Sequence, residues 1–454
     1  MNPSGVRRPG LVLGVCCLSL FLVTMDVTIM NVALPAIHTG LKSTIADVQW
    51  AVDGYNVVMA SVLLLAGSLA DRFGRKRMFQ TGIAIFGIAS LACSIAPSIQ
   101  ALILFRIVQA LGGSLLTPSG MGIIANTFTD PKERAKAIGV WGTMTGLSMS
   151  AGPLLGGLLT QTLGWRWIFA INVPIVIAAL ALSALVFSES RAPHARRFDP
   201  VGQVLAIVTL GAFVWALIEG RETHWSAVVV FALVVAIIAV VLFVPYELRR
   251  REPLMELHFF RKLPFATAAA NAVIAFTAFN AFLFVATFYL QGTRGFSPLV
   301  AGLFLVPASI VMMIASPIAA RLAGNGRAGL SFILSGAAFV IGSALLLGIS
   351  PETNVAQILT GFAFFGVGLG LSNAVITTAA VSGMPREQTG VAIGTVSAFR
   401  VVGSSLGVAV AGTPALFSWW LPIVCGLGVL LLGVVLERDE QRVELSGSAA
   451  TSEP

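Results

Sequence analysis

The stretch "SAVVVFALVVAIIAVVLFVPY" (226–246) carries no charged residue along its whole length. A helix needs about 20 apolar residues to cross roughly 30 Å of hydrocarbon, so this run reads as a membrane span. Thirteen further runs of the same kind begin near Leu11, Asp47, Met78, Ile99, Ala135, Trp167, Pro200, Pro264, Pro298, Ala328, Val355, Glu387 and Ala415. Only 11% of the residues are charged and the mean hydropathy is +0.91. Soluble domains average about 25% charged, and a soluble surface could not be built from this composition. The 46 glycines and 21 prolines sit inside the apolar runs, where membrane helices tolerate them as packing and kinking residues. The expectation is an all-α integral membrane protein of 14 helices. Its first run continues to Ile37, far beyond the roughly 7 to 15 residues of a cleavable leader's apolar core, and is expected to remain as the first span.

The net charge of +8 could point to nucleic acid, but the basic residues lie in short loops between apolar runs. With the N-terminus inside, 22 of the 28 Lys and Arg fall on the cytoplasmic side. Lys42, Arg166, Arg221 and Arg294 fall outside, and Arg106 and Arg400 lie within spans. That asymmetry places both termini in the cytoplasm and the chain in the cytoplasmic membrane. Cys16, Cys17, Cys93 and Cys425 all lie in apolar segments and suggest neither disulfides nor a metal site, and the four histidines are scattered without ligand spacing. No Walker A loop is present, so an ATP-driven pump is not indicated; an ion gradient is the expected energy source. No cofactor, metal or enzymatic centre is expected.

The second half of the chain repeats the first. "ERAKAIGVWGT" (133–143) aligns with "QTGVAIGTVSA" (388–398), and "SLADRFG" (68–74) more weakly with "PIAARLA" (317–323). Two six-helix halves then flank an inserted pair, with bundles at 1–190 and 264–437, a linker at 191–263 holding the pair, and a cytoplasmic tail at 438–454. A parallel repeat of this kind is a transporter signature, with the substrate near the midplane.

Between the second and third runs the chain reads "GSLADRFGRKR" (67–77). This resembles the signature loop of the major facilitator superfamily, matching at Gly67, Asp71, Arg72, Gly74, Arg75 and Lys76. The resemblance implies that fold and, for Asp71 and Arg72, the role of a conformational latch. A topogenic basic loop would explain Arg75, Lys76 and Arg77, but not the spaced glycines and acid. "GVWGTMTGLSMSAGPLLGG" (139–157) resembles the antiporter motif of proton-driven exporters at Gly139, Gly152, Pro153, Gly156 and Gly157, with Ser148 in place of its middle glycine. Small residues permit close helix approach, and a proline frees one backbone carbonyl.

In "LILFRIVQALGG" (102–113), Arg106 lies in the apolar layer, at a cost of about 2.5 to 3.5 kcal/mol on insertion scales. It matches the family's membrane arginine tied to proton transfer; bonding to backbone carbonyls is the structural alternative. "LFLVTMDVTIMNVALPAI" (20–37) resembles the segment marking the 14-helix drug:proton antiporters, including the methylenomycin-resistance and quaternary-ammonium exporters. Its Asp26 is the first candidate for the proton or cation carrier, or else caps a polar cluster with Thr24 and Asn31. Asp53, in "WAVDGYNV", is a further candidate or a hydrated residue near the outer boundary. The expected activity is proton-coupled export of small lipophilic drugs or antibiotics by a monomer. The alternatives are export of an endogenous metabolite, lipid or natural product, and a membrane sensor, which would need neither Asp26 and Arg106 nor the antiporter motif. The second half carries no acid within its spans, so neutral or monocationic substrates are expected over dications.

Overall fold

The computed structural model describes residues 9–191, 199–250, 253–382, 384, 389–411 and 419–451, and among these the regular structure is helical throughout. The helices are α1 (Pro9–Leu41), α2 (Ile45–Phe73), α3 (Arg75–Ser94), α4 (Ile99–Thr127), α5 (Pro131–Thr162) and α6 (Trp167–Val186). Then follow α7 (Pro200–Glu222), α8 (Ala227–Arg249), α9 (Leu263–Phe288) with a π-helical extension to Thr293, and α10 (Pro298–Gly324). The series closes with α11 (Ala328–Leu345), α12 (Val355–Val381), α13 (Thr389–Ala411) and α14 (Trp420–Thr451). Among the described residues, 12 helices are long and apolar enough to cross a membrane, and α2, taken as one bent span, makes 13. Helix α5 has 32 residues, ample length for a crossing, but its Gly, Ser and Thr dilute the apolar run. With it the helices correspond one for one to the 14 expected runs. The brief connection expected at 412–415 lies outside the described residues.

Chain punctuation follows the side chains. Thr44 and Asp47 form a reciprocal capping box at the start of α2, and Ser98, Asp130 and Asn354 cap α4, α5 and α12 through their side-chain oxygens. Helix α14 continues past Arg438, so the start of the segment read as a tail is helical.

The chain divides into two units. One comprises Met1–Met255 with Thr287–Leu303, and the other Glu256–Ala286 with Phe304–Pro454. In the first, α3 and α4 approach backbone to backbone: a Cβ on Gly82 would stand 2.8 Å from the Gly112 carbonyl, so nothing larger than glycine fits there. In the second, α11 and α14 meet in the same way at Gly336 and Gly426. Its interior is aromatic, with Phe282 stacked on Phe365 at 4.2 Å and Phe339 edge-on to Phe365 at 5.7 Å.

The pair α7 and α8 is fastened to α2 inside the first unit. Gln203 donates to the Ser61 carbonyl at 2.6 Å, and Trp50 donates to Glu219 at 3.0 Å. Glu219 therefore lies within α7 and ties it to α2. At the other end of the pair, Asp199 accepts from the Gly202 amide at 3.0 Å and the Tyr246 hydroxyl at 2.9 Å, with Arg250 at 3.4 Å. Burial pushes the Asp199 carboxyl up, but these three donors outweigh it and hold the group below the usual carboxylate range.

Candidate functional site

Five helices of the first unit converge on one charged cluster. Asp26 stands on α1, Ser90 on α3, Arg106 and Gln109 on α4, Asn172 on α6, and Tyr55 on α2; all six are buried. Asp26 lies 17 residues into α1, about 25 Å along its axis, so neither charge of the cluster is at a helix end. The Arg106 guanidinium pairs with Asp26 Oδ2 through Nη1. The same nitrogen donates to Gln109 Oε1 at 2.7 Å, and Nε donates to the Ala51 carbonyl at 3.2 Å. Gln109, one turn on, turns its amide back to donate to Asp26 Oδ1 at 2.9 Å and to Ser90 at 2.7 Å. Asn172 adds a donor to Asp26 Oδ1 at 3.2 Å. The Tyr55 ring lies 4.2 Å from the guanidinium carbon and the Phe169 ring 5.8 Å, giving the cation aromatic faces in place of water.

Both readings of Arg106 therefore meet in one side chain, which binds a carbonyl and a carboxylate. For Asp26 the geometry separates the alternatives. Thr24 and Asn31 donate to carbonyls of their own helix, Leu20 and Val27, so the Thr24–Asn31 cluster is not what holds the carboxylate. Asp53, by its sequence either a further candidate or a hydrated boundary residue, is fully buried, two residues beyond the Ala51 carbonyl that receives Arg106, with Asn56 donating to it at 3.5 Å. Chemically, the carboxylate and the guanidinium neutralise each other inside a low-dielectric core, and neutral side chains and a backbone carbonyl occupy their remaining hydrogen-bonding positions.

The signature loop is built around Gly74, at φ +110° between α2 and α3. Asp71 pairs with Arg75 at 2.8 Å across it, and Arg75 reaches on to the Gly122 carbonyl of α4 at 3.3 Å. The loop has a further anchor that the sequence concealed. The Glu189 carboxylate, just beyond α6, accepts from the Lys76 and Arg77 amides at 3.1 and 3.2 Å, and Arg75 N–H donates to the Ser190 carbonyl at 2.9 Å. A Cβ on Gly74 would stand 2.5 Å from that carboxylate. Lys76 extends to the Ala184 carbonyl at 3.0 Å. Arg72 takes no part in the Asp71–Arg75 pair and lies over Phe73 at 5.7 Å. Gly67 makes only ordinary contact with Pro118.

The glycines of α5 divide between two neighbours. Gly152 and Gly156 press against Thr28 and Ile29 of α1, close in sequence to Asp26, and the backbone at Gly157 meets Pro298 and Leu299. Gly302 packs on the Pro153 carbonyl, and Gly139 has open space. Ser148, where the motif's middle glycine was expected, is buried; its hydroxyl donates to the Met144 carbonyl at 2.6 Å and its own carbonyl accepts from Thr28 at 3.4 Å. In the second unit, Arg400 donates to the Asn373 carbonyl at 3.0 Å and to Thr377. Gly366 and Gly370 pack on the α10 backbone at Ala308 and Met312 as helix-packing residues.

The chain matches the family model described as Major Facilitator Superfamily over residues 16–209 and 198–408. It is 37% identical over 403 residues to the multidrug resistance protein Stp of Mycobacterium tuberculosis, covering 88% of this chain and 75% of that one. It is 36% identical to the tetracenomycin C resistance and export protein of Streptomyces glaucescens, covering 90% and 76%. Among solved structures, a point mutant of the peptide transporter POT in complex with alafosfalin superposes with a TM-score of 0.68 at 15% identity, covering 95% of this chain and 94% of that one.

Proposed function

This chain belongs to the Major Facilitator Superfamily, and from that premise we propose that it is a 14-helix drug:proton antiporter that exports small lipophilic compounds, drugs or antibiotics, across the cytoplasmic membrane in exchange for protons. It is a transporter and not an enzyme. The observation that carries the coupling is the ion pair of Asp26 and Arg106, the former on α1 beside the antiporter motif of α5.

In the charged form, Asp26 ties α1 to α4 and, through Asn172, to α6. A proton arriving on Asp26 cancels its charge and leaves Arg106 held by Gln109, the Ala51 carbonyl and the Tyr55 and Phe169 rings. Helix α1 then loses its electrostatic tether, and α5 moves with it because Gly152 and Gly156 leave no gap against Thr28 and Ile29. Proton binding on one side and release on the other are thereby linked to two arrangements of α1, while Asp71, Arg75 and Glu189 latch the loop at the basic face. Asp53 is the second carboxylate available to the relay. The protein works as a monomer, with substrate, protons and the lipid bilayer as its only partners.

A second reading is favoured by the tetracenomycin C relative, whose name joins resistance to export. On that reading the cargo is a natural product of the producing cell, carried by the same mechanism. Uptake of a compound panel into inverted vesicles with an imposed pH gradient tests both. Accumulation abolished by a protonophore, and insensitive to ATP depletion while the gradient holds, is the expected result. Undiminished transport after both pH and electrical gradients are dissipated would overturn the coupling.

A further inference from the structure

Arg72 does not join the latch, and its surroundings give it another partner. A cavity at the basic end of α2 and α3 is lined by Arg72, Arg77 and Arg191, with Phe73, Met78, Gln80 and Thr81 completing the wall. Three guanidiniums share it and no carboxylate lines it. Glu189 approaches Arg77 at 3.7 Å but is already engaged by the amides of α3. Among the described residues, neither Arg72 nor Arg191 has a carboxylate within ion-pair distance. Such a concentration of positive charge calls for an anion with several acceptor oxygens, which guanidinium forks bind in preference to water.

The wall also says what the anion is attached to. Arg77, Thr81, Ile88 and Leu91 fall within about 40° of one line along α3, at roughly 100° per residue. Ile88 is 71% exposed and Leu91 50% exposed. They lie about 16 and 21 Å from Arg77 along the axis, the depth over which one leaflet's acyl chains run. An apolar track thus leads directly out of a cationic pocket. A soluble phosphate or nucleotide would use the pocket and leave the track bare, and a zwitterionic head group would turn an ammonium toward three arginines.

We propose that this cavity binds the phosphate of an anionic phospholipid of the basic-side leaflet, with an acyl chain lying along Ile88 and Leu91 of α3. Because Arg72 belongs to the signature loop, the lipid sits against the element that latches the transporter. Basic pockets at the cytoplasmic ends of membrane helices recognise anionic head groups by this charge complementarity.

Native mass spectrometry of the purified full-length protein tests the site, with palmitoyl-oleoyl-phosphatidylglycerol, the matching phosphatidylcholine and inorganic phosphate as probes. The expected result is preferential retention of phosphatidylglycerol, weakened about five-fold in Arg191→Gln and about 25-fold in the Arg72→Gln/Arg191→Gln double variant. Retention unchanged in Arg321→Gln/Arg327→Gln, which removes two charges from the last turn of α10 and the turn before α11, is part of that expectation. Arg191→Gln alone decides the matter if the double variant does not fold. Equal binding of both lipids, or undiminished phosphatidylglycerol in Arg191→Gln, would overturn the site. Displacement of the lipid by millimolar inorganic phosphate would show a soluble-anion site and overturn it equally. No transport measurement enters, so the outcome is independent of whether drugs are the cargo.

Discussion

Glu189 and Glu440 hold equivalent posts in the two halves of the chain. Glu189 accepts from the amides of Lys76 and Arg77 at the start of α3, and Glu440 accepts from those of Ala328 and Gly329, both at 3.1 Å, at the start of α11. The acids are 251 residues apart (440 minus 189), and the capped amides 252 apart (328 minus 76). That matches the repeat spacing in the sequence, so each half closes in the same way: a carboxylate beyond its sixth helix, or on that helix's extension, neutralises the exposed N–H groups of its third. A helix N-terminus carries about half a positive charge, which an acid there offsets.

Replacing either acid should therefore weaken its own half, but only one should disturb gating. Glu440→Ala is expected to lower stability by about 1 kcal/mol, the usual worth of a helix cap, with turnover preserved once the protein is folded. Glu189→Ala should cost a similar amount and also reduce turnover, because the same carboxylate fixes the loop at Gly74. Thermal unfolding and transport rate of the two purified variants check this; an equal loss of turnover in both would remove the distinction.

The loop itself should respond in turnover more than in binding. Asp71→Asn removes the charge facing Arg75, and Gly74→Val places a branched side chain at φ +110° against Glu189. Each is expected to reduce maximal transport about ten-fold or more while substrate affinity measured in detergent stays within about two-fold. Equal losses in the two quantities would make the loop a purely structural element.

Helix contact between α1 and α5 leaves no room for growth at Gly156, where a Cβ would lie 2.8 Å from the Ile29 carbonyl. Gly156→Leu is expected to abolish transport, whereas Gly139→Leu, in open space on the same motif, should retain most of it. Similar behaviour of the two variants in a vesicle assay would deny the contact any part in coupling.

The spans were legible because hydrocarbon thickness imposes a length and a composition on every crossing, and the charges Asp26 and Arg106 stood out individually for the same reason. Their pairing was not legible. The residues are 80 positions apart, and no periodicity within α1 or α4 says which faces meet. Asn172 escaped notice because an asparagine near the start of a helix is ordinary, and Glu189 because it sits in a charged loop where any acid looks like a solvated one. Asp53 was left between two readings for a related reason: counting from the edge of an apolar run measures depth along a helix and says nothing about which side faces the protein. Arg72 matched the signature loop by position, yet the turn at Gly74 delivers Arg75 to Asp71 and leaves Arg72 elsewhere.

The strongest test of coupling is Asp26→Asn, which keeps the size and hydrogen-bonding shape of the side chain and removes its titratable group. Both Asn and Ala leave Arg106 without its counter-charge, but truncation to Ala would also delete the oxygen that accepts from Arg106, Gln109 and Asn172 and open a cavity among them, and would confuse folding with mechanism. The asparagine amide oxygen can still accept from Gln109 or Asn172, so the variant is expected to fold and bind a neutral substrate with near-normal affinity. What it should lose is uphill transport driven by a pH gradient, together with the proton released when substrate binds. A unit charge moved through about 100 mV is worth about 2.3 kcal/mol, so loss of one carrier lowers the attainable substrate gradient by a measurable factor. If Asp26 anchored a cationic cargo instead, binding of cations would fail while neutral compounds were still pumped. Substrate affinity and substrate-induced proton release, measured side by side on wild type and variant in detergent, separate these outcomes. Unchanged proton release in Asp26→Asn would move the coupling site to Asp53, a fully buried carboxylate of α2 close to the Ala51 carbonyl that receives Arg106.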